Sequence, residues 1–454
     1  MTGMAGSGEW MISVDSHALE TPTLWTDRLP AEHRAKAPQW VTDADGETLL
    51  FEGRRAPVYG FAQKIFPEGQ RPGQWDAVPW SQVPASCYDA AARVEAMNTH
   101  GELAALLFPH LSGFCGSLFQ NAKDKEIGLL CIQAYNDWLI EEWVDAQPGR
   151  FIGMGIVPLW DGQLAVAEAE RVLARGARAI SFSMAPDKVG FAPLTDECWT
   201  PLFSLLNDAR VPLCTHVGTD MGKPDPDAGS AFDFDKMLTE AKKDDDRLMN
   251  DEMADKLAAL PDDVRDALKR GDFSTFMKHV TPTDIEMGGA SASLSGAKSG
   301  KTTIDGWMKS GVFARFPNLK LALSECGVGW IPSALSFADW QEEMRRMTVK
   351  RTGHEARWAR ANLDSRLPSE IFQQHIYGCF IDEPVTPALI SALGTDNIMI
   401  ETDYPHTATN WPDSLPIALE CLAAVSDVDR RKIMRGNAEA LFSFTPAEPP
   451  VLVG

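Results

Sequence analysis

The sequence predicts an α/β fold built around parallel strands. Eight short apolar runs recur along the 454 residues, and helical patterns separate most of them. The runs are nearly continuous rather than alternating, which is typical of strands that are buried on both faces. Strands that alternate with helices form parallel sheets. Eight of them without an obvious break favour a closed (β/α)8 barrel, in which every strand ends at one shared pocket.

Each predicted strand contains four or more consecutive residues that are mostly apolar and favourable in β-strands. In chain order they are Met11–Asp15, Leu103–Phe108, Phe151–Pro158, Arg178–Met184, Val211–His216, Leu319–Glu325, Ile376–Ile381 and Asn397–Asp403.

The predicted helices carry apolar residues at helical spacing and end at Gly or Pro signals where these are present. The last of them is long and charged, so one face is expected to be exposed. They are Glu126–Ala146, Gly162–Leu173, Asp196–Ala209 and Gln341–Ala361.

We expect one domain over residues 1–454, interrupted by two long segments, 18–87 and 219–301. Both are too long for ordinary loops. Both follow the C-terminal ends of strands, so they are expected to lie over the mouth of the barrel as lids, specificity elements, oligomer contacts or purely structural caps. Charge interrupts the apolar residues of Thr219–Ser299 too often for a separate core. This segment is therefore expected to cap the pocket or to join subunits.

Composition excludes several classes of partner. The net charge of −22 argues against nucleic acid and against anionic membrane surfaces, because both require a basic face. No apolar stretch reaches the ~20 residues of a membrane span, and the first ten residues lack a signal-peptide pattern. The eight cysteines form no C-x-x-C pair and are expected to be reduced. We expect a cytoplasmic protein that acts on a small molecule.

Four residues of metal-ligand type stand at predicted strand ends. Asp15 and His17 are two positions apart, so within a strand they face the same side and can contact one ion. His216 ends the fifth strand and Asp403 the last. Two imidazoles and two carboxylates suit Zn, Mn or Fe. In a barrel these residues meet, and the sequence predicts a divalent metal site.

Two further residues are candidates for catalysis. Glu325 ends the sixth strand, where a carboxylate must be paired or bind metal because burying it alone is costly. His406 lies just beyond Pro405, on a loop at the rim of the pocket, where it would act as an acid or base, bind substrate or hydrogen-bond a carboxylate. Glu20 and His110 are weaker candidates of the same kind. The histidines interpreted as structural are His33, His100, His279 and His354.

Several motifs resemble the amidohydrolase-related family that includes aminocarboxymuconate semialdehyde decarboxylase. The resemblance covers most of the chain except the segment after Gly218. The motifs that carry it are Val14 to Pro30 (V-D-S-H-A-L-E-T-P-x-L-W-x-D-R-L-P), Ala134 to Trp138, Pro148 to Phe151, Thr215 to Gly218, Ser310 to Pro317, Ser324 to Trp330 and Glu401 to His406.

The resemblance implies a distorted TIM barrel with one divalent metal at its C-terminal mouth, held by Asp15, His17, His216 and Asp403. The chain departs from the family at two positions. Asp15 stands where many members have His or Glu, and Glu325 stands where decarboxylase members have a catalytic His. A further carboxylate makes a second metal an alternative, and the family includes dinuclear iron- or manganese-dependent oxygenases.

The first functional interpretation is a metal-dependent hydrolase acting on a small organic substrate through metal-activated water. Asp403 would be both ligand and base, while Glu325 and His406 would orient substrate or shuttle protons. The alternatives are a non-oxidative decarboxylase, a dinuclear oxygenase, and a non-catalytic subunit that partners an active paralogue. We therefore expect a homo-oligomer or a hetero-oligomer with a paralogue.

Overall fold

The computed structural model describes residues 9–44, 46–58, 61–68, 71, 77–219, 261–262, 264, 295–352 and 364–450. The predicted cap Thr219–Ser299 lies almost entirely outside these residues, as do His279 and His354. The strands are β1 (Met11–Ala18), β2 (Gln39–Asp43), β3 (Gly46–Phe51), β4 (Arg54–Ala56), β5 (Glu102–Pro109), β6 (Phe151–Ile152), β7 (Met154–Ile156), β8 (Ala179–Ser181), β9 (Leu213–His216), β10 (Leu321–Ser324), β11 (Ile376–Phe380) and β12 (Ile398–Ile400).

Helices separate most of these strands, as the sequence predicts. The α-helices of the described residues are Leu24–Arg28, Ala90–His100, Ser117–Gln120, Lys125–Leu139, Gly162–Ala174, Thr200–Ala209, Ser295–Lys309, Val312–Arg315, Ile331–Thr352, Pro368–His375, Pro387–Leu393, Ser414–Cys421, Asp427–Arg431 and Asn437–Leu441. None of them is long and apolar enough to cross a membrane.

Each of the eight predicted strands has a counterpart, and all eight pair in parallel. The α/β class with parallel sheets is confirmed. Within the described residues the hydrogen-bonded ladders form two sheets, ordered β1-β5-β6 and β12-β11-β10-β9-β8-β7. The third predicted strand is split because the chain changes neighbours at Gly153: β6 pairs with β5, and β7 pairs with β8.

The two sheets face one shared interior. The backbone amide of Asp403 donates to the carbonyl of Asp15 (2.8 Å), and that of His17 to Tyr404 (2.7 Å), so residues just after β12 bond the end of β1. One buried apolar cluster receives side chains from every strand of both sheets. These include Val14, Leu106, Ile152, Met154, Ala179, Cys214, Ala322, Cys379 and Met399. The strand ends that carry the candidate residues therefore converge.

Three features differ from the predictions. Segment 18–87 contains an antiparallel sheet, β2-β3-β4, which the sequence analysis did not predict. The predicted helix Glu126–Ala146 ends in a π-helical turn at Ile140–Val144. The helix predicted from Gln341 begins at Ile331 instead. Pro332 lies in its first turn, where no backbone donor is needed.

Candidate metal centre

Asp15, His17, His216 and Asp403 meet at the converging strand ends. Asp15 and His17 lie on β1, His216 ends β9, and Asp403 follows β12. One ligand atom from each lies within 4.8 Å of those of the other three. All four residues are at most 1% exposed. The structure thus brings together residues that are about 390 positions apart in the chain, as the sequence analysis expected.

The contacts within the group run between imidazole nitrogens and carboxylate oxygens. His17 Nε2 lies 3.0 Å from Asp403 Oδ1 and 3.4 Å from Asp15 Oδ1. His216 Nε2 lies 3.3 Å from Asp15 Oδ2. Neither nitrogen, nor any carboxylate oxygen of Asp15 or Asp403, has a hydrogen-bond partner among the described residues. Six buried polar atoms are therefore left to be satisfied by something at their centre.

The two imidazoles are oriented as metal ligands are. His216 Nδ1 lies 2.7 Å from the carbonyl of Val217, and His17 Nδ1 lies 3.4 Å from that of Pro109. A proton on each Nδ1 donates to a carbonyl and leaves the Nε2 lone pair directed at the centre. Burial lowers the pKa of both histidines, which keeps them neutral. The donor set fits a divalent cation.

The carboxylates are crowded in a way that a cation would relieve. Burial raises the pKa of Asp15, and the charges of Glu401, Asp403 and Glu325 raise it further. Burial raises the pKa of Asp403 to about 8. Burial and the charge of Asp403 raise the pKa of Glu325 to about 7. Like charges held this close in a water-poor site favour either protonation or a bound cation.

Glu325 and His406 lie beside the four residues. Glu325 Oε2 is 3.6 Å from His216 Nε2, and its side chain is 25% exposed. His406 Nδ1 is 3.1 Å from Asp403 Oδ1, and its ring stacks on His17 with centroids 3.7 Å apart. Glu325 and Asp403 both have left-handed backbone, with φ of 56° and 51°. Such strained positions concentrate at functional sites.

The weaker candidates have different positions. His110 contacts the site, because its Nδ1 lies 2.9 Å from His406 Nε2. Glu20 holds the loop after β5. Its carboxylate accepts hydrogen bonds from the backbone amides of Leu111 (2.6 Å) and Ser112 (3.0 Å) and from the Ser112 hydroxyl (2.6 Å). Of the histidines interpreted as structural, His100 lies buried beside Glu102, and His33 lies near Glu126.

Two supporting carboxylates were missed by the sequence analysis as functional candidates. Glu401 is buried at the end of β12 and accepts the backbone amide of Glu325 with both oxygens, at 3.1 and 3.2 Å. Glu383 accepts the amides of Val328 (2.6 Å) and Gly329 (2.7 Å) in the same loop. Glu401 follows an apolar strand just as Glu325 does, so the same signal was available for it.

Aromatic rings line the site. Phe114 stacks on His216 with ring centroids 3.7 Å apart, and Phe61 stacks on His110 at 5.1 Å. Backbone bonds tie the Phe61 segment to the loop after β12, since the amide of Ala62 donates to the carbonyl of Pro405 (3.0 Å). Phe114 therefore covers one of the four residues directly, and Phe61 covers His110 beside them.

Comparison with known proteins identifies a family. The amidohydrolase family profile matches residues 74–444. A γ-resorcylate decarboxylase of Polaromonas sp. (strain JS666) is 27% identical over 145 residues, which is 30% of this chain and 38% of that protein. The match thus spans well under half of that relative's length.

Solved structures show the same fold at low sequence identity. An amidohydrolase of Mycobacterium avium subsp. paratuberculosis superposes with a TM-score of 0.63 at 19% identity, covering 96% of this chain and 98% of that one. A 5-carboxyvanillate decarboxylase of Novosphingobium aromaticivorans, complexed with manganese and a nitrobenzoic acid, gives 0.58 at 16% identity, with 97% and 98% covered. A manganese-bound dihydroxybenzoic acid decarboxylase of Polaromonas sp. JS666 gives 0.55 at 18%, with 97% and 99% covered.

The family profile extends over most of the sequence, and four residues within the motifs that carry the resemblance form one buried cluster of metal-ligand type. The chain belongs to the amidohydrolase family.

Proposed function

We propose that the protein is a metal-dependent, non-oxidative decarboxylase of an aromatic carboxylic acid. The observation that carries the proposal is the buried group of Asp15, His17, His216 and Asp403, whose six facing polar atoms have no hydrogen-bond partner in the described part of the chain. Relatives that decarboxylate aromatic acids support this reaction over the hydrolysis that the sequence analysis placed first. The family alone supports hydrolysis as well as decarboxylation.

The four residues would hold the cation through His17 Nε2, His216 Nε2 and the carboxylates of Asp15 and Asp403. A bound divalent cation would supply a Lewis acid that polarises an oxygen of the substrate. Manganese is the metal in two of the similar structures, and the donor set also accepts zinc and iron.

Decarboxylation breaks the bond between the ring and the carboxylate, releases CO2 and requires one proton on the ring carbon. His406 Nδ1 lies 3.1 Å from Asp403 Oδ1, so a proton on either group lies beside the four proposed ligands. His110 contacts the far nitrogen of His406 at 2.9 Å. The rings of Phe61 and Phe114 would offer flat apolar surfaces to a planar substrate. Asp403 and His406 would therefore deliver the proton.

A dinuclear oxygenase is the second candidate, and the position of Glu325 favours it. Glu325 Oε2 lies 3.6 Å from His216 Nε2 and belongs to a loop that Glu401 and Glu383 hold. Glu325 would there be available as a ligand for a second cation. In the decarboxylase proposal Glu325 takes the position of the family's catalytic His and orients the substrate.

We also propose a closed barrel, a single domain and self-association. The two parallel sheets close into one distorted (β/α)8 barrel, as the junction of β1 with the residues after β12 supports. The chain forms one domain, while the assignment of 219–301 as a cap or oligomer contact falls almost entirely outside the described residues. The chain self-associates or pairs with a paralogue, and a stripe of exposed apolar residues on helix Ile331–Thr352 supports this: Phe337, Trp340, Met344 and Met347.

The test is CO2 release from 2,6-dihydroxybenzoate and 5-carboxyvanillate by the manganese-loaded protein, beside a panel of esters and amides. We expect CO2 from at least one hydroxylated benzoate and none from the His216→Ala variant. Hydrolysis of an ester or amide without CO2 release would instead support a metal-dependent hydrolase. Oxygen consumption with two metals bound would favour the oxygenase.

A further inference from the structure

Arg93 is a fully buried arginine behind the candidate metal centre. It lies on helix Ala90–His100, whose buried face consists of Ala90, Arg93, Met97 and His100. Arg93 is 1% exposed. A guanidinium is almost never buried unless its donors are used, because an uncompensated charge in the interior is costly. Its position therefore requires an explanation.

The guanidinium binds backbone carbonyls and an aromatic ring. Its Nη2 donates to the carbonyl of His17 at 2.6 Å, and its Nε donates to the carbonyl of Ser86 at 2.5 Å. The guanidinium carbon lies 4.4 Å from the ring centroid of Tyr404. Among the described residues no carboxylate forms an ion pair with it. The guanidinium also lies 5.5 Å from the ring centroid of Trp143, and its Nη1 has no hydrogen-bond partner among the described residues. Arg93 thus contacts two backbone carbonyls and two rings.

The residues that Arg93 holds belong to the two chain segments that supply the proposed ligands. His17 is itself a proposed ligand, and Tyr404 directly follows Asp403. The His17 amide donates to the Tyr404 carbonyl (2.7 Å), and the Tyr404 hydroxyl lies 2.6 Å from Ser86 Oγ. Arg93, Ser86 and Tyr404 therefore form a closed set of contacts around the junction between the first strand and the last.

We propose that Arg93 is a positioning residue that fixes the spacing between His17 and Asp403 and so sets the affinity of the site for its metal. The inference rests on the metal site of the proposed function. His17 Nε2 and Asp403 Oδ1 are 3.0 Å apart. Most of the chain separates these two residues in sequence, so the covalent backbone does not fix that distance and non-covalent contacts must do so. Residues that orient metal ligands affect affinity by about 10- to 100-fold when they are replaced.

The Arg93→Lys variant tests this role. Lysine keeps the charge but cannot span two carbonyls with a planar fork while covering an aromatic ring. The matched control is Arg150→Lys. Arg150 is 8% exposed and also donates to two backbone carbonyls, those of Leu103 (2.6 Å) and Glu102 (3.3 Å), at the opposite end of β5 from the site.

The measurements are the Kd for Mn2+ alone by calorimetry, the electron paramagnetic resonance spectrum of the bound Mn2+, and urea unfolding of each metal-free protein. We expect both variants to lose similar stability. Only Arg93→Lys should raise the Kd, by about 10- to 100-fold, and alter the spectrum. Equal changes in Kd for the two variants, or no change for Arg93→Lys, would overturn the inference.

A milder variant covers the case in which Arg93→Lys does not fold. Ser86→Ala removes the bond to the Tyr404 hydroxyl and leaves the carbonyl that Arg93 binds. We expect it to raise the Mn2+ Kd by about threefold, the equivalent of one modest hydrogen bond. An unchanged Kd would contradict the inference that the contacts of Arg93, Ser86 and Tyr404 set the affinity for the metal. If the parent protein binds no metal, the proposed function fails and this inference fails with it. If the parent binds and the variants match it, only this inference fails.

Discussion

Replacing Glu20 by Gln is expected to destabilise the protein, although Glu20 contacts none of the proposed metal ligands. The carboxylate is completely buried. Its Oε1 accepts the amide and the hydroxyl of Ser112, and its Oε2 accepts the amides of Leu111 and, at 3.3 Å, His110. A glutamine presents an N–H group at one of these two positions. This N–H group then points at a backbone N–H group of the loop after β5, and the buried position gives neither donor access to water.

The magnitude follows from the number of donors left unpaired. If the amide nitrogen replaces Oε1, the Ser112 amide loses its partner, and if it replaces Oε2, the amides of Leu111 and His110 do. Each unsatisfied buried donor costs about 1–3 kcal/mol, and the remaining bonds lose their charge assistance. We expect the free energy of unfolding to fall by about 3 kcal/mol.

Urea unfolding of the metal-free protein measures this loss, with Glu52→Gln as the matched control. Glu52 also accepts two backbone amides, those of Lys123 (2.8 Å) and Asp124 (3.2 Å), but its side chain is 17% exposed. Water can replace its bonds, so the control should lose about 1 kcal/mol or less. The reasoning that burial raises the energetic cost of an unpaired donor is refuted if the unfolding free energy of Glu20→Gln lies within about 1 kcal/mol of that of the parent protein.

Three further predictions concern the site, pH and the backbone. Glu325→Gln should keep one metal per chain and lower CO2 release by at least about tenfold; a fall from two metals to one would instead indicate a dinuclear centre. Burial lowers the pKa of His375 from 6.5 to about 4, so the unfolded chain is protonated first as the pH falls. His375 should therefore contribute about 2 kcal/mol to the fall in unfolding free energy between about pH 7.5 and pH 5, and the fall in the His375→Gln variant should be smaller by that amount. Gly101→Ala should cost about 2–4 kcal/mol, because Gly101 has φ of +80° and a Cβ would lie 2.4 Å from Leu415 Cδ2. Gly46→Ala, with φ of +97° and nothing within 4 Å, should cost only about 1 kcal/mol by the same unfolding measurement.

The parallel strands and the cluster at their ends were predictable from local pattern. A buried parallel strand needs a run of apolar residues, and a period of two places Asp15 and His17 on one side of β1. The local sequence pattern does not indicate which strands will pair with each other. The split at Gly153 arises because β6 and β7 pair with different strands, which is a property of the whole sheet.

The antiparallel sheet β2-β3-β4 was missed because its strands are short and partly exposed, with weak alternation. A signal was nevertheless present in its turns. Gly46 and Gly53 stand where the chain reverses, with φ of +97° and +83°. Glycine at such positions is the ordinary sign of a hairpin.

The supporting contacts of the site could not be predicted. Glu383 binds the amide of Val328, which is 55 positions away, and Arg93 binds the carbonyl of His17, 76 positions away. Backbone amides and carbonyls are the same at every residue, so a sequence does not indicate which of them a distant side chain will bind. A buried face that contains Arg93 and His100 indicates only that some polar partner must exist.

The metal content of the purified protein is the most direct test of the central claim. After dialysis against Mn2+ and then against metal-free buffer, elemental analysis should find about one manganese per parent chain, as one four-ligand site requires. The His216→Ala variant, which loses one of four buried ligands, should retain almost none. Equal metal in both proteins, or none in the parent, would contradict the assignment of Asp15, His17, His216 and Asp403 as a metal site.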